Sequence, residues 1–168
     1  WKATCFAIKE AVKEIDINTL SAVGITHQRG TFVPISLNKK PLRNAILYMD
    51  RRCSDQINAI KEKIGARKIQ QITGKIPTFI NSVSSILWLM DEEPQVSDKV
   101  FKYLDVQAYL LMHLTGRCIT SYVSADEFSL VNIKMRTWDF DLMDQLDLEK
   151  RKFPELCPPG QVIGGLTK

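Results

Sequence analysis

Residues 20–52 read LSAVGITHQRGTFVPISLNKKPLRNAILYMDRR. Leu20 to Thr26 is short, apolar and rich in small residues, which predicts a buried strand. Thr31 to Ser36 predicts a second strand, with Pro34 suggesting an edge or a bulge, because proline has no N–H to give a ladder. Asn38-Lys-Lys-Pro41 supplies a turn, and Ala45 to Met49 predicts a third strand. The connections are short, so the run begins antiparallel.

On either side the pattern changes to helical. Ala7, Ile8, Ala11, Val12 and Ile15 recur at helical spacing before Asp16-Ile-Asn-Thr breaks the run. Ile57, Ile60 and Ile64 form a stripe ending at Gly65, and Val83, Ile86, Leu87 and Met90 form another, capped by Asn81 or Ser82. Val106, Tyr109, Leu110 and Leu114 form a third, opened by Asp105 and closed by Gly116. A short helix follows Trp138-Asp139, and the Pro- and Gly-rich stretch from Pro154 to Gly165 reads as a loop. Strands mixed with helices give an α/β class.

Length and composition bound what such a chain can be. Its 168 residues suffice for one domain with a sizeable core, and fall short of two. The net charge is +4, but Lys and Arg are scattered among Asp and Glu, so no nucleic-acid partner is indicated. There is no signal peptide and no long apolar run, which predicts no membrane association. Cys5, Cys53, Cys118 and Cys157 are widely spaced and lack histidines at metal-ligand spacing. Free thiols in a reducing, cytoplasmic setting are therefore expected.

The stretch suited to chemistry is Thr26-His-Gln-Arg-Gly-Thr31, directly after the first predicted strand. Polar side chains at the carboxyl end of a buried strand project into the crevice where α/β proteins bind ligands. Gln28 both donates and accepts, Arg29 offers a rigid fork of donors, and Gly30 permits close approach of backbone or ligand. Such a set suits a polyhydroxylated molecule; it also suits a solvated tight turn. Asp50, followed by Arg51 and Arg52, could bind hydroxyls, pair with an arginine or cap the next helix. His27 reads as a packing residue near the turn, and His113 as a cation complementing a helix C-terminus. No phosphate loop, dinucleotide fingerprint or nucleophile elbow is present.

The order of the segments carries more than any one of them. Ser21-Ala-Val-Gly-Ile-Thr-His-Gln-Arg-Gly-Thr31 resembles the I-x-I-T-x-Q strand and turn of the FGGY carbohydrate kinases. Pro41 to Arg52 is similar to that family's P-L-x-x-A-I-x-W-x-D-x-R. Thr73-Gly74, Ile86-Leu-Trp88-Leu, Phe101 to Tyr109 with Leu114-Thr-Gly116, Trp138-Asp139, Pro154-Glu-Leu and Val162 to Thr167 continue the series.

This resemblance implies a ribonuclease H-like, actin-like ATPase fold, with residues 1–168 as an incomplete amino-terminal, substrate-side domain, truncated at both ends. The ATP-binding carboxyl-terminal domain would then be absent, as would the D-x-G-T turn and the G-x-x-D aspartate. It implies transfer of the γ-phosphoryl of ATP, with Mg²⁺, to a hydroxyl of a sugar or polyol by the full-length protein. No cofactor and no activity are expected of this stretch alone, and a homodimer is left open. No exposed apolar stripe is clearly spare for an interface. By position the resemblance makes Gln28, Arg29, Gly30 and Asp50 substrate-binding residues. Departures qualify it: the turn reads Q-R-E in glycerol kinases and Q-M-H-G in xylulokinases, and here Gly30 follows Gln28-Arg29. Ile80 and Ser85 stand where a tyrosine and a lysine are usual. The alternative is a non-catalytic sugar-binding or scaffold domain derived from such a kinase.

Overall fold

A computed structural model describes residues 1–167. Its helices are α1 Lys2–Ala11, α2 Ser54–Lys63, α3 Ala66–Thr73, α4 Ser82–Glu92, α5 Pro94–Ser97, α6 Val106–Thr115 and α7 Phe140–Gln145. Its strands are β1 Phe32–Ile35, β2 Lys102–Asp105, β3 Ile119–Ser121, β4 Val131–Asn132, β5 Thr137–Trp138 and β6 Glu155–Cys157. β1 pairs antiparallel with β2, with Phe32 opposite Asp105. β3 and β6 run parallel, and β4 and β5 form a small antiparallel hairpin.

All four residues of β1 are buried, because the strand separates two apolar layers. Successive side chains point to opposite faces. Phe32 and, from β2, Tyr103 join the main core with Phe128, Trp138 and Phe153, while Val33, Ile35 and Leu104 pack on α6 through Ala108 and Met112. Edge-to-face contacts tie the aromatic centre together, with Phe128 and Trp138 centroids 5.6 Å apart. The Trp138 indole N–H donates to the Pro154 carbonyl at 2.9 Å, so the ring's one polar atom is satisfied.

Helix boundaries follow the expected punctuation. The Asp105 carboxylate accepts the Ala108 N–H at 2.7 Å to open α6, and Gly116 closes it in the left-handed region at φ 77°. Asp139 caps α7 through Leu142 N–H at 2.9 Å. Gly65 takes the expected position just past α2, at φ 93° with its N–H on the Lys61 carbonyl, and it also opens α3, a helix the apolar pattern does not reveal.

Three strand expectations are corrected. Residues 20–26 form no strand: their one backbone hydrogen bond among the described residues is local, from the Leu20 N–H to the Ile17 carbonyl at 3.2 Å, and no strand pairs with them. Leu20 and Val23 are 47% and 58% exposed, so the small apolar run is unburied as well as unpaired. The expected strand at 45–49 shrinks to a bridge at Ile46, opposite Phe32. It ends there because the Tyr48 N–H turns to the Thr31 hydroxyl at 3.3 Å instead of a strand carbonyl. The expected loop after Pro154 contains β6, which finds its partner in β3.

α1 forms where the periodicity places it, but it buries none of its residues. Phe6, Ile8, Ile15 and Ile17 are exposed along with Leu20 and Val23, so the amino-terminal segment does carry spare apolar surface, contrary to the expectation. Among the described residues no helix is long and apolar enough to cross a membrane. All four cysteines are free thiols.

Candidate functional site

The turn at 26–31 is held on each side by side chains distant in sequence. His27 places Nε2 3.0 Å from the Ser124 hydroxyl, which lies 2.9 Å from that of Ser121. Its other ring nitrogen lies 2.9 Å from the Gln28 carbonyl, so His27 braces the turn, as a packing residue would. Gln28 donates from Nε2 to the Thr31 hydroxyl at 2.9 Å. Thr31 thereby accepts from both Gln28 and the Tyr48 N–H, and joins the turn to the segment leading to Asp50. Nothing in the local sequence marks Thr31 for this role. The Gln28 amide oxygen accepts no hydrogen bond among the described residues.

Arg29 is the most constrained member. Its Nη1 donates to the Asp126 carboxylate at 2.7 Å and to the Val123 carbonyl at 3.1 Å. Its Nη2 lies 3.5 Å from Glu127. Lys75 pairs with the same two acids, 2.9 Å from Glu127 and 3.4 Å from Asp126. Each cation thus touches both anions, and four charges close a ring that staples the turn to the loop after α3 and to the helical turn Ala125–Phe128. No hydrogen bond among the described residues uses the Arg29 Nε–H.

Gly30 is buried at φ 77°, and a Cβ there would stand 2.9 Å from the Ile80 carbonyl and 3.0 Å from the Tyr48 Cβ. The close approach it permits is therefore to backbone and side chain of the protein itself. Ser82, at the start of α4, donates to its carbonyl at 3.3 Å.

Asp50 does not cap α2, whose cap position is Cys53. Its carboxylate folds onto Arg52, accepting Nε–H at 2.8 Å and the backbone N–H at 3.1 Å. That guanidinium holds the Asp50 carboxyl below its ordinary range. Arg52 in turn lies 4.6 Å from the Trp88 ring centroid, and Arg43, ion-paired to Glu93, lies 5.7 Å from the same ring. Because the pair is partly open to water, Asp50→Asn is expected to cost less than about 1 kcal/mol of stability in chemical denaturation. A larger loss would show that Asp50 carries structure beyond this pair.

His113 departs from its expected role. It stacks on Trp1 at 4.5 Å and meets Tyr109 edge-on at 4.8 Å. Burial lowers its pKa from 6.5, so it is neutral at pH 7 and places no cation at the helix end. A cavity of about 240 Å³ opens beside Thr31, between Val33, Leu104, Arg43 and Tyr109. It contains none of Gln28, Arg29, Gly30 or Asp50, and its lining is mainly apolar, which does not suit a polyhydroxylated ligand. Among the described residues no three His, Cys, Asp or Glu side chains gather as a metal-binding group.

Residues 1–168 match the model for the N-terminal domain of the FGGY family of carbohydrate kinases. The chain belongs to the FGGY family. Glycerol kinase of Thermococcus kodakarensis is 34% identical over 174 aligned positions, which cover all of this chain and 35% of that protein. The structure of a ligand-bound xylulose kinase from Lactobacillus acidophilus superposes with a TM-score of 0.90 at 24% identity, over 98% of this chain and 34% of the other. Plasmodium falciparum glycerol kinase, solved with ADP, gives 0.84 at 24% identity over 96% and 34%. The FGGY chain thus spans about a third of the length of the curated relatives it matches, and it shares the ribonuclease H-like, actin-like ATPase fold of these kinases over its own length.

Proposed function

We propose that this FGGY domain, residues 1–168, is the substrate-side part of an ATP-dependent carbohydrate kinase, and that the turn at 26–31 together with Asp50 receives a sugar or polyol. The observation that carries the reading is the braced turn itself: an exposed Gln28 with a spare amide acceptor beside an Arg29 with spare N–H donors on Nε and Nη2. Hydroxyl groups both donate and accept, so one ligand satisfies both side chains. Gly30 sets the shape of the turn, and Asp50 offers a carboxylate kept ionised by Arg52.

In the reaction, the bond from the γ-phosphorus to the bridging oxygen of ATP breaks as a ligand hydroxyl oxygen bonds to phosphorus. The hydroxyl proton passes to a carboxylate base. We assign ATP, Mg²⁺ and that base to the part of the protein outside these residues. What this domain contributes is positioning, which by itself accounts for orders of magnitude in rate. The homodimer and cytoplasmic assignments belong to the same reading.

The test is a phosphorylation assay on the full-length protein with ATP, Mg²⁺ and a panel of polyols and ketoses that includes glycerol. Turnover of at least one is expected, and Arg29→Ala is expected to lower kcat/KM about 100-fold, the value of two charge-assisted hydrogen bonds. Residues 1–168 alone are expected to show no turnover. A full-length protein inactive on the whole panel, or an Arg29→Ala variant with native kcat/KM, would overturn the assignment.

A further inference from the structure

The ring of Arg29, Asp126, Lys75 and Glu127 has consequences for what the turn admits. Its signs alternate, so its formal charge is zero. Its members are unequally open: the side chains of Glu127, Lys75 and Asp126 are 13%, 22% and 25% exposed, and that of Arg29 is 43%. Arg29 is the member that meets a ligand, and the two acids lie directly behind it. Both Nη1 hydrogens of Arg29 are already taken, by Asp126 and by the Val123 carbonyl. The Nη1 end of the guanidinium is therefore committed to the protein and Nη2 lies against Glu127, while the Nε–H and Nη2 hydrogens enter no hydrogen bond among the described residues. A neutral hydroxyl can accept from one of these N–H donors and donate to the acids. An anion at the same place would face two carboxylates less than 4 Å behind its only cationic partner.

We infer that Asp126 and Glu127 are positioning residues for Arg29 and restrict the site to uncharged polyhydroxylated ligands, excluding sugar acids and sugar phosphates that place their charge at this turn. The inference rests on the reading of the turn as the sugar site and adds a substrate class to it. Selectivity arises by repulsion as much as by attraction: like charges set against each other disfavour the wrong ligand, while the correct one loses nothing. Lys75 is part of the device, because it holds both acids in place and balances their charge. Without it, the acids would repel an anion more strongly.

The experiment uses the full-length protein and matched pairs that differ only in one terminal group: glycerol and glycerate, xylitol and xylonate, sorbitol and gluconate. Turnover and calorimetric affinity are measured for each. The native protein is expected to favour the neutral member of each pair it uses by about tenfold or more, one charge-dependent hydrogen bond converted to affinity. Asp126→Asn/Glu127→Gln keeps the shape of the ring but removes its anions, and is expected to move that ratio about tenfold toward the acid, chiefly through KM. Lys75→Gln leaves the acids uncompensated and is expected to move the ratio the other way. It also decides the matter if the double variant does not fold. A brace with a merely structural role would lower both members of a pair together and leave their ratio alone. A native protein that prefers the acid, or ratios unmoved in the variants while neutral substrates are still used, would overturn the inference and leave the sugar site standing. Binding and turnover of no compound in either class would remove the sugar site and the inference together.

Discussion

Gly30→Ala is expected to lower the unfolding free energy by about 3 kcal/mol, combining a left-handed backbone with overpacking. At φ 77° a side chain is strained whatever the space around it, and here there is none: the new methyl group would stand 2.9 Å from the Ile80 carbonyl oxygen. That oxygen is backbone, held just ahead of α4, and cannot swing aside as the end of a flexible side chain would. Either the turn or the 78–81 segment must shift, and a shift of the turn carries Gln28 and Arg29 with it. Ligand affinity is therefore expected to fall together with stability. Urea denaturation of native and variant protein measures the first, and calorimetry the second. Gly24→Ala is the control, since nothing lies within 4 Å of its added methyl group. A Gly30→Ala loss below about 1 kcal/mol would show that the turn adapts freely.

The second large effect is expected at Asp105. It is buried beneath the site, where its carboxylate caps α6 and accepts the Thr120 hydroxyl at 2.7 Å. Asp105→Ala is expected to cost about 3 kcal/mol, from the lost cap, the lost hydrogen bond and the space left behind. Asp105→Asn keeps the acceptor for Ala108, and Thr120 can redirect its proton to the Gln107 amide oxygen, 3.1 Å away. That variant is expected to stay within about 1 kcal/mol of the native protein. Burial pushes the Asp105 carboxyl above its ordinary value of 3.8, outweighing the Ala108 and Thr120 hydrogen bonds and the nearby His27 ring. The sign of the pH dependence follows. With the folded pKa above the unfolded one, the unfolded chain releases this proton first, so stability falls as pH rises from the ordinary carboxylate value through the folded one. Denaturation midpoints of native protein and Asp105→Asn, followed upward from pH 4, should converge or cross in that direction. A native protein that gains on the variant as pH rises would reverse the assignment.

The sequence carried the helices further than the strands. Asp105, Asp139 and Gly116 mark helix ends through bonds made within a few residues, so their effect is local and visible. Leu20 to Thr26 has the composition of a strand, but a strand also needs a partner, and composition does not say whether one is within reach. The same distinction separates Gln28 and Arg29 from the residues that hold them. A polar turn after an apolar run is legible as a candidate site. Asp126 and Glu127 lie about a hundred residues further along, and only the fold brings them and Lys75 to Arg29. The one local signal is the adjacent Asp126-Glu127 pair in the helical turn after β3, two acids with no base beside them in sequence. Asp50 illustrates the opposite case: the pairing with Arg52, two residues away, is realised and the helix cap is not.

The alternation of signs around Arg29, Asp126, Lys75 and Glu127 also constrains how this sequence can drift. A neutral or opposite-sign replacement at any one position offends two neighbours at once, whereas simultaneous loss of one acid and one base leaves a balanced pair behind. Descendants of this chain should therefore lose or exchange these four residues in opposite-sign couples. Physically the ring changes as a unit, although its members are scattered from residue 29 to residue 127.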